Sequence, residues 1–439
     1  MGRHTSQKQP SFPPRDYRNY REHYDADYAA EEDYANEDYA DETRSRNPFS
    51  LWQWLLSLLL VFSFIATLVG LVFLWPSSEP PRVAPEFKTT SPLPQNQVDG
   101  LVIIRDSGEC NSPSVGRVFE TSPVTSLEQK AEECQRAIVE IQEGDNKGKR
   151  TLLMVSEKPG DPNLQEGETI RMSESTAADG SHAYTFTDFQ RTIPLAFWII
   201  LTAVAIVIIG LGPGIRSLFG LLVTFAAVAL FLLPALLHGG PPLLLAIVCG
   251  SAVLFPVLYI VHGISWKTSS ALAGTLISLG LSAGLAHIAI SGNQLRGLAD
   301  EDNLLIQLYL PDVTVTGLML CGFIIGALGV LNDVTIAQAS TVNELAEIEP
   351  DASPWRLFAG AMKVGRDHIA SMVYTLVLSY TGAALPLLLL LSVADRPFLQ
   401  VLTSDVMATE LLRSATGALA LTLAVPITTL IAAFTVAED

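Results

Sequence analysis

Residues 194–237 read PLAFWIILTAVAIVIIGLGPGIRSLFGLLVTFAAVALFLLPALL and contain one charged residue, Arg216. A glycine-rich segment, 210–214, separates two uncharged runs at 194–211 and 217–237. Each run supplies about the 20 apolar residues that an α-helix needs to cross a hydrocarbon core of about 30 Å. The stretch therefore predicts two membrane-spanning helices joined by a tight turn.

Six more apolar runs of similar length accompany this pair. The first, 51–75, is uncharged and forms the centre of a predicted first span at 48–76. The other five follow at residues 242–262, 269–290, 313–332, 368–392 and 409–435. The sequence therefore predicts an α-helical polytopic membrane protein with about eight transmembrane helices, seven of them within residues 191–437.

The charge of the chain lies mainly outside these runs. Its 439 residues are 49% hydrophobic and only 16% charged, and the formal net charge of −18 comes largely from the first 190 residues. A nucleic-acid partner would need a basic patch, so this balance argues against one.

The connectors between the runs alternate in sign. The basic connectors contain Arg216, Lys267, Arg356, Lys363 and Arg366, and the acidic ones contain Asp300, Glu301, Asp302, Asp312, Asp395 and Asp405. Basic connectors face the cytoplasm in most membrane proteins, which predicts that both the N-terminus and the C-terminus are cytoplasmic. Three arginines depart from this pattern: Arg296, Arg396 and Arg413.

The segments on either side of the first span differ in composition. Residues 1–47 repeat Asp-Tyr-Ala with few aliphatic residues, which predicts a disordered, acidic, tyrosine-rich cytoplasmic tail. Because this tail is too long and acidic to begin a cleaved signal peptide, we expect the first span to remain as a signal anchor. Residues 77–97 are proline-rich and predict a linker that holds the next segment off the membrane.

Residues 98–190 alternate short β-prone runs with turn residues, which predicts a small extracytoplasmic β-barrel or sandwich. In an oxidising exterior, Cys110 and Cys134 would form a disulfide, and two free thiols are the alternative. The candidate strands are 98–104, 115–119, 137–141, 151–155, 168–172 and 183–186.

Glycines at four-residue spacing occur twice within the apolar runs. Gly280 and Gly284 form one pair, and Gly322 and Gly326 form the other. Such pairs allow helix backbones to approach closely, and a flexible hinge is the alternative role.

Polar residues continue at helical spacing beyond the span at 313–332. In GALGVLNDVTIAQASTVNEL, residues 326–345, the side chains of Asp333, Ser340 and Glu344 fall within about 20° of one direction at 100° per residue. Because a carboxylate in hydrocarbon is costly, such a stripe normally lines a cavity, pairs with a cation or lies at the interface. We expect this stripe at the cytoplasmic end of its span.

A second polar group, KVGRDH at 363–368, precedes the next apolar run. Lys363 or Arg366 could pair with Asp333 or Glu344, and His368 could titrate near neutral pH. These residues would form a polar cluster at the inner mouth of the bundle. The alternative is an amphipathic interfacial helix whose charges meet lipid headgroups and cytosol.

Two motifs carry a family resemblance. LNDVTIAQASTVNELAE at 331–347 and GRDHIASMVYTLVLSYTGAALPLLLL at 365–390 resemble the YibE/F family of bacterial integral membrane proteins, with similarity over roughly 95–435. The resemblance implies one anchor, a β-rich external segment and a multi-span region in a bacterial cell (inner or plasma) membrane. It implies no settled activity. The positions that it marks for testing are Asn332, Asp333, Asn343, Glu344, Gly365, Arg366 and Asp367.

These patterns favour a secondary transporter or efflux component whose substrate or coupling proton is handled at Asp333, Glu344, Asp367 and His368. The alternative is an envelope assembly or sensory scaffold in which the β domain binds a partner. No GxSxG, HExxH or nucleotide-binding motif occurs, so we expect neither an enzyme nor a cofactor, and an enzyme acting on lipid phosphate is only a third alternative. The expected partners are the lipid bilayer, a small-molecule or ion substrate, and a second copy of the chain.

Overall fold

The computed structural model describes the β-rich segment, most of the linker and all of the long apolar runs. The predicted tail at 1–47 lies outside the described residues. The described ranges are 50–87, 95–110, 112–124, 133–155, 162–176, 180–298 and 301–436.

Helix α1, Leu51–Phe73, is the first predicted span. Ser50 and Gln53 cap its start reciprocally: the Ser50 backbone N–H donates to Gln53 Oε1 (3.1 Å) and the Gln53 backbone N–H donates to Ser50 Oγ (3.2 Å). Its 23 residues extend about 35 Å, enough to cross a bilayer core.

Six strands follow, as the sequence predicts, in one sheet of order β2-β4-β3-β1-β5-β6 with antiparallel pairing throughout. Strand β1 is longer than expected because it pairs with β5 through its first half and with β3 through most of its length. The strands are β1 Asn96–Glu109, β2 Val118–Phe119, β3 Glu133–Ile141, β4 Arg150–Val155, β5 Thr169–Thr176 and β6 His182–Phe189.

The sheet curls into a small half-barrel, and Gly116 joins its two sides. The Gly116 backbone N–H donates to the Leu152 carbonyl on β4 (2.8 Å), and its carbonyl accepts from the Tyr184 backbone N–H on β6 (2.7 Å). Gly116 has a φ of +70°, a conformation that favours glycine. Side chains such as Val102, Ile141 and Tyr184 fill the interior.

Cys110 and Cys134 form a disulfide, which confirms the predicted pairing. Their Cα atoms are 5.1 Å apart, and the bond links the end of β1 to β3. The other two cysteines, Cys249 and Cys321, are free and buried.

The rest of the described chain is almost entirely helical. The helices are α2 Thr192–Ala227, continued by a π-helical turn Val228–Leu232 and by α3 Leu233–Leu237; α4 Pro242–His262; α5 Trp266–Gly292; α6 Glu301–Tyr309; α7 Val315–Ile348; α8 Pro354–Ala383; α9 Leu385–Ser392; α10 Phe398–Leu402; and α11 Asp405–Val436.

Six candidate spans among the described residues are long and apolar enough to cross a membrane, when α2 and α3 are counted as one. Helices α8 and α9 together pass the same test, but their axes differ by 64°. The result is a multi-pass helical protein with a small β domain between α1 and α2.

Helix α2 is not straight. Leu211 has non-helical dihedral angles (φ 48°, ψ −132°) just before Pro213. A Cβ on Gly214 would collide with the carbonyl oxygen of Ile206, eight residues earlier, whereas eight residues of a straight helix extend about 12 Å. The chain therefore folds back on itself at the predicted glycine-rich turn.

Helices α5, α7 and α11 pack most extensively on one another and form the centre of the bundle. The buried residues of α5 and α11 are largely small, so these two backbones approach closely. A Cβ on Gly274 of α5 would collide with Thr428 Oγ1 of α11.

The predicted role of the spaced glycines is wrong for three of the four. No side chain or neighbouring helix among the described residues lies within 4 Å of a Cβ built on Gly280, Gly284 or Gly322. Gly280 and Gly284 lie on the exposed face of α5, opposite the face that packs. Only Gly326 meets a neighbour, the hydroxyl of Tyr380 on α8.

Candidate functional site

A charged pair lies within the apolar length of α11. Arg413 Nη1 is 3.0 Å from Glu410 Oε1, and the i, i+3 spacing places both side chains on one face of the helix. Arg413 is eight residues after the start of α11, about 12 Å along the helix axis. The side chains of Arg413 and Glu410 are 28% and 23% exposed, respectively.

Aromatic rings from two other helices surround the Arg413 guanidinium. Its central carbon is 5.3 Å from the ring centroid of Phe323 on α7 and 5.9 Å from that of Tyr380 on α8. A Cβ on Gly326 would lie 2.7 Å from the Tyr380 hydroxyl, so glycine at 326 permits this approach. Arg413 Nε is buried and, within the described structure, has no hydrogen-bond partner. The arginine thus lies at the junction of α7, α8 and α11 with one donor unused.

A cavity of about 570 Å³ opens beside this pair. Its lining combines apolar side chains with carboxylates, an asparagine and a threonine. The polar lining residues are Glu301, Asn303, Asp405, Thr409, Glu410 and Arg413.

The break between α8 and α9 forms part of the cavity wall. Ala383, Ala384 and Pro386 all line the cavity at the 64° bend. Pro386 lacks a backbone N–H and disfavours helical dihedral angles in the residue before it, so the helix cannot continue smoothly through this point. The bend therefore forms part of the wall of the cavity that Glu410 and Arg413 also line.

The cavity lies at the end of the bundle that the linker contacts. Arg82 forms an ion pair with Asp312, and the Ala84 backbone N–H donates to the Tyr309 carbonyl (2.9 Å). Residues 293–298 and 301–314 lie at this end, which we call the linker end, together with the start of α11, where Asp405 accepts a hydrogen bond from the Arg296 backbone N–H (2.9 Å).

The polar stripe predicted at the other end does not form a cluster of paired charges. Asp333 and Glu344 are exposed, and the Asn343 amide donates to Glu347 Oε1 (2.6 Å). Within the described part of the chain, no hydrogen bond or ion pair joins Asp333 or Glu344 to Arg366 or Lys363.

The remaining predicted residues differ in burial. Arg366 and Asp367 are exposed on α8. His368 and Asn332 are half-buried, and each has one buried side-chain atom, His368 Nδ1 and Asn332 Oδ1, without a partner in the described structure. Two polar groups at this end could therefore still accept or donate a hydrogen bond.

Sequence reasoning missed a polar contact in the centre of the bundle. Gln338 of α7 is fully buried, and its Oε1 accepts from Thr429 Oγ1 of α11 (3.0 Å). Gly365 of α8 lies against the same amide, because a Cβ there would be 3.0 Å from Gln338 Oε1. Nearby on α7, Thr335 Oγ1 shares a 2.6 Å hydrogen bond with Thr275 Oγ1 of α5.

The sequence feature that could have identified Gln338 is its position in the helical repeat of α7. Leu331, Val334 and Val342 are buried on the same face of α7 as Gln338. This polar residue therefore occupied an apolar position of the helical pattern. The acidic residues of the same stretch lie on the exposed face.

The charged pair had a different signal. Arg413 was one of three arginines that departed from the alternation of charges in the sequence.

Within the described ranges, no group of three or more His, Cys, Asp or Glu side chains is arranged to hold a metal ion.

One comparison with known proteins matches the helical part of the chain. A family model described as YibE/F-like protein matches residues 198–438, which is more than half of the chain. The match is narrower than the resemblance at 95–435, because it leaves out α1, the linker and the β domain. No curated protein and no solved structure matches the chain. Because the family model covers more than half of the chain, from within α2 to the end of α11, the chain belongs to the YibE/F-like family.

Proposed function

We propose that this protein is a secondary transporter or efflux component whose substrate enters at the Glu410–Arg413 cavity. The single observation that supports the proposal best is the ion pair itself. Charged residues within membrane-spanning helices are costly, and they commonly mark a substrate or ion pathway. Here the pair lines a cavity of about 570 Å³, a volume suited to a small molecule.

The broken helix beside the cavity supports the same proposal. Many transporters bind substrate where a membrane helix is interrupted, because the interruption frees backbone groups and permits one half to move. The bend at Ala384 lies next to Arg413, and Tyr380 of the same helix contacts the guanidinium. Movement of α9 would therefore change the shape of the cavity.

The proposed topology has eight spans. The fold-back at Leu211 divides α2 and α3 into two spans, and α8 with α9 forms one broken span. With the basic connectors in the cytoplasm, both termini are cytoplasmic and the linker end faces outwards. The membrane in this proposal is a bacterial cell membrane.

The opposite end supplies the proposed coupling site. His368 and Asn332 have atoms there without partners in the described structure, and Asp333 and Asp367 are exposed carboxylates. Carboxylates and imidazoles can exchange protons as their surroundings change. Proton movement at this end would then drive substrate exchange at the linker end.

The test is an accumulation experiment that works without a known substrate. Proteoliposomes with an imposed pH gradient are incubated with the small-molecule fraction of the host cells, and retained compounds are identified by mass spectrometry. We expect at least one compound to accumulate with the wild-type protein but not with Arg413→Gln.

The matched control is Arg396→Gln, which removes an exposed arginine of the connector at 393–397 and should leave accumulation unchanged. No accumulation by the wild type over empty vesicles, or equal accumulation by Arg413→Gln, would contradict the proposal. The scaffold alternative would then be favoured, and deletion of residues 98–190 would be the variant that abolishes function.

A further inference from the structure

The described part of the linker, residues 77–87, lies against the linker end of the bundle, and we call it the strap. Arg82 makes two hydrogen bonds with the Asp312 carboxylate, of 2.8 Å from Nε and 2.6 Å from Nη2. The rings of Phe87 and Tyr309 meet edge to face with centroids 5.2 Å apart. Because the Arg82 side chain is 81% exposed, its ion pair contributes little to holding the strap.

His238 supplies the more informative contact. Its Nδ1 lies 2.7 Å from the carbonyl oxygen of Pro234, one turn earlier, and its Nε2 lies 2.8 Å from the carbonyl oxygen of Glu79 in the strap. Both partners are backbone carbonyls, which can only accept hydrogen bonds. The ring therefore connects the end of α3 to the strap through two acceptors.

The protonation state of His238 follows from this geometry. A neutral imidazole has one N–H and one lone pair, whereas the imidazolium has two N–H donors. In the neutral form, one ring nitrogen would direct its lone pair at a carbonyl oxygen. Only the protonated ring can donate to both carbonyls.

The charges around His238 also favour its protonated form. Asp312 lies close to His238, because the Asp312 Cβ is 3.4 Å from a Cβ built on Gly239, the next residue. The Glu79 carboxylate, in the strap, is a second nearby negative charge. Arg82 offsets part of the Asp312 charge. The Pro234 and Glu79 carbonyls, followed by the two carboxylates, raise the pKa of His238 above its ordinary value, and burial opposes them only in part.

We infer that His238 is a proton-binding site that fastens the strap to the bundle and releases it when the external pH rises. The strap lies between α1 and β1 in the sequence, so its release frees one of the two connections between the membrane helices and the β domain; the other is the short segment 190–191 between β6 and α2. This inference concerns the docking of the strap and does not depend on transport.

The direction of the pH effect follows from linkage. Docking raises the pKa of His238, so docking is fully favoured below the ordinary histidine value of about 6.5 and weakens as the pH rises through the elevated value. Each unit by which docking raises the pKa changes the docking equilibrium about tenfold between the two pH limits.

Hydrogen–deuterium exchange of the full-length protein in nanodiscs tests the inference. The reporter is the strap peptide that contains Ala84, whose backbone N–H donates to Tyr309 in the docked state. After correction for the pH dependence of chemical exchange, we expect this peptide to lose protection progressively between about pH 5.5 and about pH 8.5, because the ring loses its proton and docking weakens. In His238→Gln, protection should be the same at both pH values.

Two further variants separate this effect from a general disturbance. His287→Gln alters an exposed histidine at the linker end of α5 and should keep the full pH-dependent fall. Arg82→Gln removes an exposed ion pair without changing the His238 turn, so it should change protection only slightly at either pH value and keep the fall. Equal wild-type protection at both pH values, or an undiminished fall in His238→Gln, would overturn the inference.

Discussion

Arg413 and Glu410 form a 3.0 Å ion pair on α11, and the Arg413 guanidinium also faces rings from α7 and α8. One side chain thereby links three helices at the wall of a cavity. Because a lone charge in this position would be poorly solvated, each charged side chain of the pair is stabilised by its partner.

The first prediction concerns that dependence. Glu410→Gln leaves Arg413 without its counterion and should lower the free energy of unfolding by about 1–3 kcal/mol, less than for a fully buried pair because both side chains are about a quarter exposed. The double variant Glu410→Gln/Arg413→Gln should recover part of this loss. A double-mutant cycle based on thermal unfolding in detergent measures the coupling, and a coupling energy of zero would contradict the dependence.

The second prediction concerns close packing in the bundle centre. Gly365→Ala places a Cβ 2.7 Å from Val425 Cγ1 and 3.0 Å from Gln338 Oε1, so it should destabilise the protein by about 1–3 kcal/mol. The matched control is Gly280→Ala, whose Cβ meets no neighbour within 4 Å in the described structure and which should be neutral or slightly stabilising. Equal thermal midpoints for the two variants would argue against the packing described for α8.

The third prediction concerns the end opposite the linker. Asp333→Asn should abolish the pH-driven component of transport for whichever compound accumulates, while the protein still folds, because an amide cannot exchange a proton with the solution. Asp395→Asn, at an exposed position near the linker end, is the control and should transport normally. The measurement is uptake by the wild type and by each variant, with and without the pH gradient. If uptake by Asp333→Asn depends on the gradient as much as uptake by the wild type does, proton coupling at this residue is refuted.

The fourth prediction concerns the β domain. The Cys110–Cys134 bond closes a loop with a sequence separation of 24 residues. Its removal in Cys110→Ser should destabilise the domain by about 3–4 kcal/mol. Proteolysis of the full chain should then cut within 98–190 far sooner than in the wild type, and Cys249→Ser provides the control for a general effect of losing a cysteine. Equal rates of cleavage in Cys110→Ser and the wild type would show that the bond contributes little to the stability of the domain.

Much of the architecture followed from the sequence because hydrophobic runs and turn residues act locally. Five of the six strands lie within the predicted segment 98–190, and β1 begins two residues before it. The turn at 210–214 lies where two apolar runs meet. The sequence left Cys110 and Cys134 as either a disulfide or two free thiols, and the structure has the disulfide.

The cavity could not be predicted, because it depends on how distant helices meet. Glu410 and Arg413 stand near the start of an apolar run, where charges ordinarily reach the interface. In the fold, the rings of Phe323 and Tyr380 from two other helices pack around Arg413. The departure of Arg413 from the alternation of charges was the one sign in the sequence.

The role of polar and small residues depended on which helix face they occupy. Gly280 and Gly284 share the right spacing but lie on the exposed face of α5, whereas Gly274 contacts Thr428 on α11. Likewise, Gln338 points into the bundle and Asp333 points out of it. Spacing alone does not distinguish these faces in a helix that is apolar nearly all round.

The most direct test of the account is cysteine labelling in intact cells with a membrane-impermeant reagent. Thr409 lines the cavity beside the ion pair, and Lys267 lies in the first turn of α5 at the opposite end. We predict that Thr409→Cys reacts from outside, whereas Lys267→Cys reacts only after permeabilisation. Reaction of both positions from the same side would contradict an outward-opening substrate cavity within the membrane.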